Sequence, residues 1–294
     1  MGYSSRYHVA SLVAVFVALA IGILIGASLG SEVISGAADR LEDDLSEDLD
    51  EIRAENAELR EELDFEVRFS ERLAPAVMAD RLAAQEIGLI GLGDIDTSTL
   101  RADLNGALAP AGARLTQVGS LREPPDTDAL IDALLTDEEH GEPQDEQFGL
   151  AAERAGRLLA GRGDLEADLL DMLMSEYSGN PEGLDAVVLA RARPEDLSAR
   201  EEANMDELEA GVIRGFLDAG VRVVGAERED SDPSSIEFFD EQGLATVDSI
   251  DQLPGKVALV LALDGADGNF GVKDTAESLL PDLIEPSPTV GANG

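Results

Sequence analysis

The sequence predicts an α/β protein with a single N-terminal transmembrane helix, a coiled-coil helix and then a largely parallel-sheet α/β domain. Three observations predict it: a 22-residue uncharged segment near the N-terminus, a heptad pattern after it, and apolar runs alternating with amphipathic stretches from residue 86. We expect five parts: the N-terminus 1–8, the transmembrane anchor 9–30, the coiled-coil helix 31–74, the α/β domain 75–281 and a flexible tail 282–294.

The anchor, Val9 to Gly30, is long enough to cross about 30 Å of hydrocarbon as a helix. Arg6 and His8 precede it, whereas acidic residues follow from Glu32 onward. The positive-inside rule therefore places the N-terminus in the cytoplasm and the rest of the chain outside. The alternative is a cleaved signal peptide, because Ser28-Leu29-Gly30 is a small-x-small triplet.

Three glycines of the anchor, Gly22, Gly26 and Gly30, recur every four residues and share one helix face. Such a face allows two membrane helices to approach closely, so we consider it a candidate dimerisation face. The alternative is that the glycines have no such role, since glycine is common in membrane helices.

Residues 38–63 fit a heptad pattern that predicts a parallel homodimer. The a positions are Leu49, Asn56 and Leu63, with Glu42 as a weak one, and the d positions are Ala38, Leu45, Ile52 and Leu59. A lone Asn at an a position favours a two-stranded, in-register coil, and the g–e pairs Asp48–Arg53 and Glu55–Arg60 are opposite in charge. The alternative is an amphipathic helix that packs on its own domain.

The α/β domain follows Pro75, which we expect to interrupt the helix. The predicted strands are Ile87–Leu92, Arg114–Val118, Ala186–Leu189, Val221–Gly225, Ala245–Val247 and Val257–Leu263. The predicted helices are Ser98–Leu108, Thr127–Leu135, Gln147–Leu159, Leu165–Tyr177, Ala199–Ala219 and Thr275–Leu280. The acidic segment 136–146 is predicted to be a loop.

The composition limits the possible functions. The chain has 62 acidic and 21 basic residues, so its formal net charge is −41 and non-specific nucleic-acid binding is excluded. We interpret this surface as halophilic, because molar salt would screen its self-repulsion; the alternative is an acidic protein from a GC-rich genome. The absence of cysteine excludes disulfides and thiolate metal sites.

No enzyme signature is complete. Ile90-Gly91-Leu92-Gly93 occupies the position of a dinucleotide loop, but the third glycine is missing, and Asp94 and Asp96 would repel a pyrophosphate. A tight turn between strand and helix explains these glycines, so we assign no catalytic and no cofactor-binding residue. The motifs of P-loop enzymes, serine hydrolases and zinc peptidases do not occur.

A glycine-rich segment follows the predicted strand Val257–Leu263 and is a candidate surface loop. Its residues include Gly265, Asp267, Gly268, Asn269, Phe270 and Gly271. Open α/β sheets often carry binding loops at the carboxyl ends of strands. The alternative is a plain connection to the last helix.

The segment Tyr7–Phe16, followed by Ala18–Gly22 and Gly26, resembles the opening of the MctB family, actinobacterial proteins named for mycobacterial copper transport protein B. The order of parts is similar, and Gly268–Gly271 to Leu280-Pro281 resembles the family's C-terminal end. The resemblance implies a role in copper transport or homeostasis and a location in the cell envelope or outer membrane. Copper as a ligand is implied by this resemblance alone.

Copper(I) prefers sulfur and imidazole ligands, which are scarce in this chain. In the part of the chain expected outside the membrane, the candidates are His140, which is a weak metal candidate in an acidic loop, and Met78, Met172, Met174 and Met205. We therefore expect no tight copper(I) site. Three functions stay open: copper handling; a non-enzymatic envelope scaffold or regulator that recruits partners such as cell-wall enzymes; and an enzyme acting on an envelope substrate.

Overall fold

The structure is a computed structural model. It describes residues 5–282 apart from 94, 142, 180–182 and 195–196, and side chains at 5–6, 28–44 and 144–145 also lie outside the description. The chain divides into two units, Met1–Arg68 and Phe69–Gly294. Gly30, Ala38 and Glu42 from the proposed association faces, and the tail from residue 283 onward, are outside the described side chains or residues.

One helix, α1 (Ser5–Met78), contains the apolar anchor and the heptad segment. Its segment Tyr7–Ala27 has a mean hydropathy of 2.8 and is the one described helix that is long and apolar enough to cross a membrane. The expected interruption at Pro75 is wrong, because α1 continues to Met78. Pro75 stands in the last turn, where its missing N–H removes a single helix hydrogen bond.

The α/β unit contains one seven-stranded sheet, and the α/β fold class is confirmed. The strands are β1 (Glu86–Gly93), β2 (Arg114–Leu121), β3 (Met174–Gly179), β4 (Ala186–Ala192), β5 (Arg222–Ala226), β6 (Ala245–Val247) and β7 (Asn269–Phe270). The helices are α2 (Thr97–Ala111), α3 (Thr127–Leu134), α4 (Gln144–Leu159), α5 (Ala167–Leu173), α6 (Ala199–Asp218), α7 (Ile236–Glu241) and α8 (Leu253–Leu263), with a short 3₁₀ helix at Glu139–Gly141.

The strand order is β3-β2-β1-β4-β5-β6-β7, and only β3 is antiparallel to its neighbour. Alternate strand residues enter two cores on opposite faces. Val188 packs with α2, α8 and the end of α1, whereas Val187 and Leu189 pack with α3, α4 and α6. Burial on both faces explains the continuous apolar runs in β1 and β4.

Local signals fix where several helices begin. Asp96 caps α2 by accepting a hydrogen bond from the backbone N–H of Ser98, and Asp126 caps α3 through Ala129. Ser198 and Glu201 form a reciprocal capping box at the start of α6. These caps follow β1, β2 and β4, so each of these three strands is followed after a short connection by a capped helix.

The segment Val257–Leu263, predicted to be a strand, is part of α8 instead. All its residues are buried, so the apolar run has no polar face from which its period can be read. Pro254 at the first turn and the content of Ala and Leu, rather than β-branched residues alone, favour the helix.

Two predicted helices are also wrong. Leu165–Tyr177 divides into α5 and the edge strand β3, which pairs antiparallel with β2. Thr275–Leu280 contains turns and an isolated bridge between Phe270 and Ser278. In the first segment, pairing with a strand distant in sequence overrides a weak helical pattern; in the second, the chain turns back to bridge Phe270 of the nearby β7.

A buried ion pair joins the segment after α1 to the end of α8. The Arg81 guanidinium lies 2.9 Å from the Asp264 carboxylate, and these side chains are only 10% and 7% exposed. Arg81 also donates to the carbonyl of Val77. The pair therefore holds the last turn of α1 against the α/β unit.

We expect Arg81→Gln to lower the free energy of unfolding by about 3–5 kcal/mol, because Asp264 would remain buried without its cation. Urea unfolding followed by circular dichroism measures the change. Arg114→Gln is the control, since Arg114 pairs with Glu86 while 69% exposed, and it should cost at most about 1 kcal/mol. Equal losses in the two variants would contradict the assignment.

Candidate functional site

The chain reverses its direction of sheet assembly at β1. From β1 it adds β2 on one side and, later, β4 on the other, so the carboxyl ends of β1 and β4 flank a topological switch point. Open α/β sheets bind ligands at such points. A cleft of about 400 Å³, here called the switch cleft, opens there. It is lined by the start of α2, the end of β4 and the loop after β5, including Asp96, Arg191, Arg193, Glu227 and Arg228.

Two arginines at the end of β4 form a charged cluster with two acids of α6. Arg191 contacts Glu209 at 2.8 Å and Asp206 at 3.0 Å, and Arg193 also pairs with Asp206. The Glu209 side chain is only 1% exposed. The Arg191 guanidinium carbon lies 3.9 Å from the centroid of the Phe238 ring, a cation–π geometry. The cluster ties α6 to the carboxyl end of the central strand.

Glu123, two residues after β2, adds a third carboxyl group to this cluster. Neither of its carboxyl oxygens has a hydrogen-bond partner among the described residues, and both are shielded from solvent. Burial raises the pKa of Glu123 to about 8; the negative charges of Glu209 and Asp206 add to the rise, whereas the positive charge of Arg193 opposes it. Glu123 is therefore expected to carry a proton at neutral pH.

Burial likewise raises the pKa of Glu209 to about 8, against the effect of Arg193. However, the Arg191 guanidinium lies 2.8 Å from its carboxylate, and such a contact favours the ionised form. We therefore assign the carboxylate to Glu209 and the proton to Glu123. Two arginines then balance Asp206 and Glu209.

A second buried network lies at the carboxyl ends of β5, β6 and β7. Glu227 accepts hydrogen bonds from Lys273 Nζ at 2.7 Å and from the Ser235 backbone at 2.7 Å. Asp248 accepts from the backbone N–H groups of Val272 and Lys273. A Cβ at Gly271 would collide with the Asp248 carboxyl group, so glycine is required there. The network holds the segment after β7 against the sheet.

The charged groups have partners within the protein: Glu209 pairs with Arg191, Glu227 pairs with Lys273, and Asp248 accepts from backbone N–H groups. The described residues contain no group of three or more His, Cys, Asp or Glu side chains placed to hold a metal ion. The ion pairs and hydrogen bonds of the charged groups position the loops around the switch cleft. The Nη1 atom of Arg193 is a buried donor with no partner in the described part of the chain. The site is a polar cleft with one proton-carrying carboxyl group beside it.

The glycines of the predicted dinucleotide motif serve close packing. A Cβ at Gly91 would collide with Ile95, and one at Gly93 would collide with the carbonyl of Ala192 in β4. This agrees with the tight-turn interpretation. Asp94 lies outside the described residues.

The proposed association residues are exposed on α1. Leu45, Leu49, Ile52, Leu59 and Leu63 are 50–59% exposed, and a Cβ at Gly22 or Gly26 would meet nothing within 4 Å in the single chain. The Asn56 side chain donates to the carbonyl of Ile52 in its own helix at 2.8 Å. The association itself stays a prediction.

The remaining predicted site residues do not converge on the switch cleft. His140 Nδ1 lies 2.8 Å from the Thr136 carbonyl oxygen, a contact that raises the pKa of His140. Gly265 follows α8 rather than a strand, so the glycine-rich segment enters β7 from its amino end. The reasoning that placed this loop at a strand's carboxyl end is therefore wrong. In that loop, Asp267 forms an ion pair with Arg222 at 2.8 Å.

Sequence reasoning missed the arginine cluster, although a signal existed. Arg191-Ala192-Arg193 directly follows the buried run Ala186–Ala190 in a chain with few basic residues. Glu209 also stands among the buried residues of α6, between Leu208 and Val212. An acid on an apolar helix face requires a buried partner. Arg191 and Arg193, at the end of the strand that precedes α6, were candidates for that partner.

A family model matches residues 3–281, nearly the whole chain; its description is "Copper transport outer membrane protein, MctB". The match confirms the resemblance found in the sequence. No curated protein matches the chain.

We expect the stability of the protein to fall as pH rises from about 5 to 8 because of Glu123. In this range the unfolded carboxyl group is ionised while the folded one, with a pKa of about 8, keeps its proton. The unfolded state then binds fewer protons, so one such group lowers the free energy of unfolding by up to about 1.4 kcal/mol per pH unit. Urea unfolding of wild type and Glu123→Gln at each pH measures this slope, which the variant should reduce.

Glu139→Gln is the control. Hydrogen bonds from Thr136 and Arg154 hold the pKa of Glu139 at about 2, so its contribution is lost only as pH falls toward that value. This variant should shift the curve without changing its slope between pH 5 and 8. Parallel curves for wild type and Glu123→Gln would disprove the role of Glu123.

Proposed function

This chain belongs to the MctB family of copper transport outer membrane proteins, and we propose that it serves copper transport as a membrane-anchored, self-associating envelope protein. The observation that carries the proposal is the extent of the family match, which includes the apolar helix and the α/β unit together. The proposed role in copper transport therefore depends on both the apolar helix, which serves as the anchor, and the α/β unit.

We place the N-terminus in the cytoplasm and the α/β unit outside the membrane that α1 spans. The support is the positive-inside rule applied to Arg6 and to the acidic residues after the anchor. A net charge of −41 also makes contact between the α/β unit and hydrocarbon unfavourable. We treat α1 as an uncleaved anchor because its apolar stretch exceeds the length of a typical signal peptide core.

A single copy does not supply a path for copper across a membrane. One helix encloses no channel, and the described strands form a single open sheet whose two faces are covered by packed cores. Transport by this protein therefore requires several copies or a partner. Self-association through α1 is the most direct route, and its apolar heptad residues are half-exposed along the helix.

The positions of the soft donors argue against a tight copper(I) site in the α/β unit. Met78, Met174 and Met205 are buried, so their sulfurs contribute to packing. Met172 lies beside Asp164, Glu166 and Asp168 in a cavity of about 470 Å³. His140 interacts with Thr136 and Asp132 instead. We therefore propose that copper is the cargo of an assembly and that this chain holds no copper(I) ion by itself.

The second candidate function is a non-enzymatic scaffold or regulator that recruits envelope partners such as cell-wall enzymes. The observation that favours it is the same exposed stripe on α1, which is suited to binding helices. In that case any effect of copper on the growth of a deletion strain would be secondary.

We expect no tight stoichiometric copper(I) binding by the purified full-length protein in detergent. Titration against a copper(I) chelator measures the affinity, with His140→Ala and Met172→Ala as matched variants. One ion held with sub-micromolar affinity, and lost in either variant, would show that the protein is itself a copper carrier.

Growth of a deletion strain over a range of copper concentrations tests the proposed function. We expect the deletion strain to show a copper-dependent growth defect that the wild-type chain corrects. A chain with Ile52→Glu and Leu59→Glu should not correct it, because charges at d positions prevent helix association. Glu51→Lys and Glu58→Ala, at c positions of the same turns, are the control. A defect in cell separation that is independent of copper would favour the scaffold function instead.

A further inference from the structure

An apolar groove crosses the outer surface of the α/β unit. It has a volume of about 370 Å³ and lies between the last turns of α1, the outer face of α8 and the segment before Pro281. Its walls include Leu73, Val77, Val257, Leu261, Leu279 and Leu280, and none of its lining residues is charged. In a chain of which 28% of residues are charged, an uncharged surface of this size needs an explanation.

The groove leaves large apolar side chains in water. Leu73 is 47% exposed, Leu279 is 50% exposed and Leu280 is 38% exposed. Contiguous exposed apolar surface of this kind marks interaction sites on soluble domains. The occupant must therefore supply apolar side chains and must bring little negative charge close to the groove.

The heptad frame of α1 indicates what the occupant is. With Leu49, Asn56 and Leu63 at a, the same frame places Ser70 and Val77 at a and Leu73 at d. These residues line the groove. In a parallel coiled coil the a and d residues of a helix face the same positions of its twin.

We propose that the groove receives the last turns of α1 from a second copy of this chain, so that the dimer contact includes the α/β unit. This inference rests on the self-association in the proposed function and extends it to a second interface. Glu66, a charged residue at d, separates the groove positions from the coil positions. The groove and the coil are therefore two contacts that can be tested independently.

Charge supports a second copy of the chain as the occupant. Two chains of net charge −41 repel each other, so they can approach most closely where acidic side chains are missing. The groove provides such a surface, and a two-fold axis would bring the same surface of the twin against it. Each copy then covers the exposed Leu73 of the other.

Disulfide crosslinking of the full-length protein in native membranes tests the proposal. The chain has no cysteine, so each introduced thiol reports alone. We expect Leu73→Cys to form a disulfide dimer about as readily as Ile52→Cys in the coil. Glu71→Cys is the matched control, because this exposed b position in the same turn points away from the twin, and it should crosslink at least tenfold less.

The outcomes separate this inference from the proposed function. Crosslinking through Ile52→Cys without Leu73→Cys would overturn the groove contact and leave the coil dimer intact. Crosslinking through neither would overturn both. Crosslinking of Leu73→Cys that appears only after residues 283–294 are deleted would identify the chain's own tail as the occupant and reject the second copy.

A charge placed in the groove provides a second test that preserves the helix frame. Leu279→Glu should reduce the Leu73→Cys crosslink at least fivefold and leave the Ile52→Cys crosslink unchanged. Val272→Glu is the control, because Val272 is also 50% exposed and does not line the groove. An undiminished crosslink in Leu279→Glu, with a circular dichroism melt like that of the control, would contradict the proposal.

Discussion

The scarcity of positive charge constrains this structure more than any other feature. With 62 acids and 21 basic residues, a buried carboxylate needs either one of the few cations or hydrogen bonds from backbone N–H groups, as at Asp248. The cations join segments distant in sequence: Arg81 with Asp264, Arg191 with Glu209, and Lys273 with Glu227. Where no cation is left, as at Glu123, the carboxyl group keeps its proton. The positions of these few cations therefore determine which acidic groups are buried as ion pairs at the carboxyl edge of the sheet.

The order of parts could be predicted from the sequence because each part has its own period. An uncharged run predicts the anchor, apolar runs predict β1, β2, β4, β5 and β6, and amphipathic stretches predict α2, α3, α4 and α6, whereas the short helix α7 was not predicted. The predictions for segments without a clear hydrophobic period were wrong. The run Val257–Leu263 is apolar on every side, and β3 has a strand conformation only because it pairs with the edge of β2.

The candidate site was less predictable than the fold, since it depends on distances between elements. Arg191 and Arg193 could have been noticed as cations at the end of a strand, but their partners lie on α6, 13–18 residues later. Glu123 carries no signal in a sequence full of acids, because its pKa depends on burial and on the charges of Glu209 and Arg193. Only the three-dimensional arrangement distinguishes it from a solvated carboxylate.

The distribution of apolar surface leads to the same conclusion as the distribution of sulfur. The methionine side chains at 78, 174 and 205 are used for packing, so the α/β unit does not present a row of soft ligands to copper. Most of the exposed large apolar side chains among the described residues instead lie on α1 and around the groove, where they are suited to association. If copper is the cargo of an assembly, as proposed, buried sulfur atoms and exposed apolar side chains on α1 are what such a protein needs. The α/β unit would then act by positioning copies and partners of the anchor at the membrane.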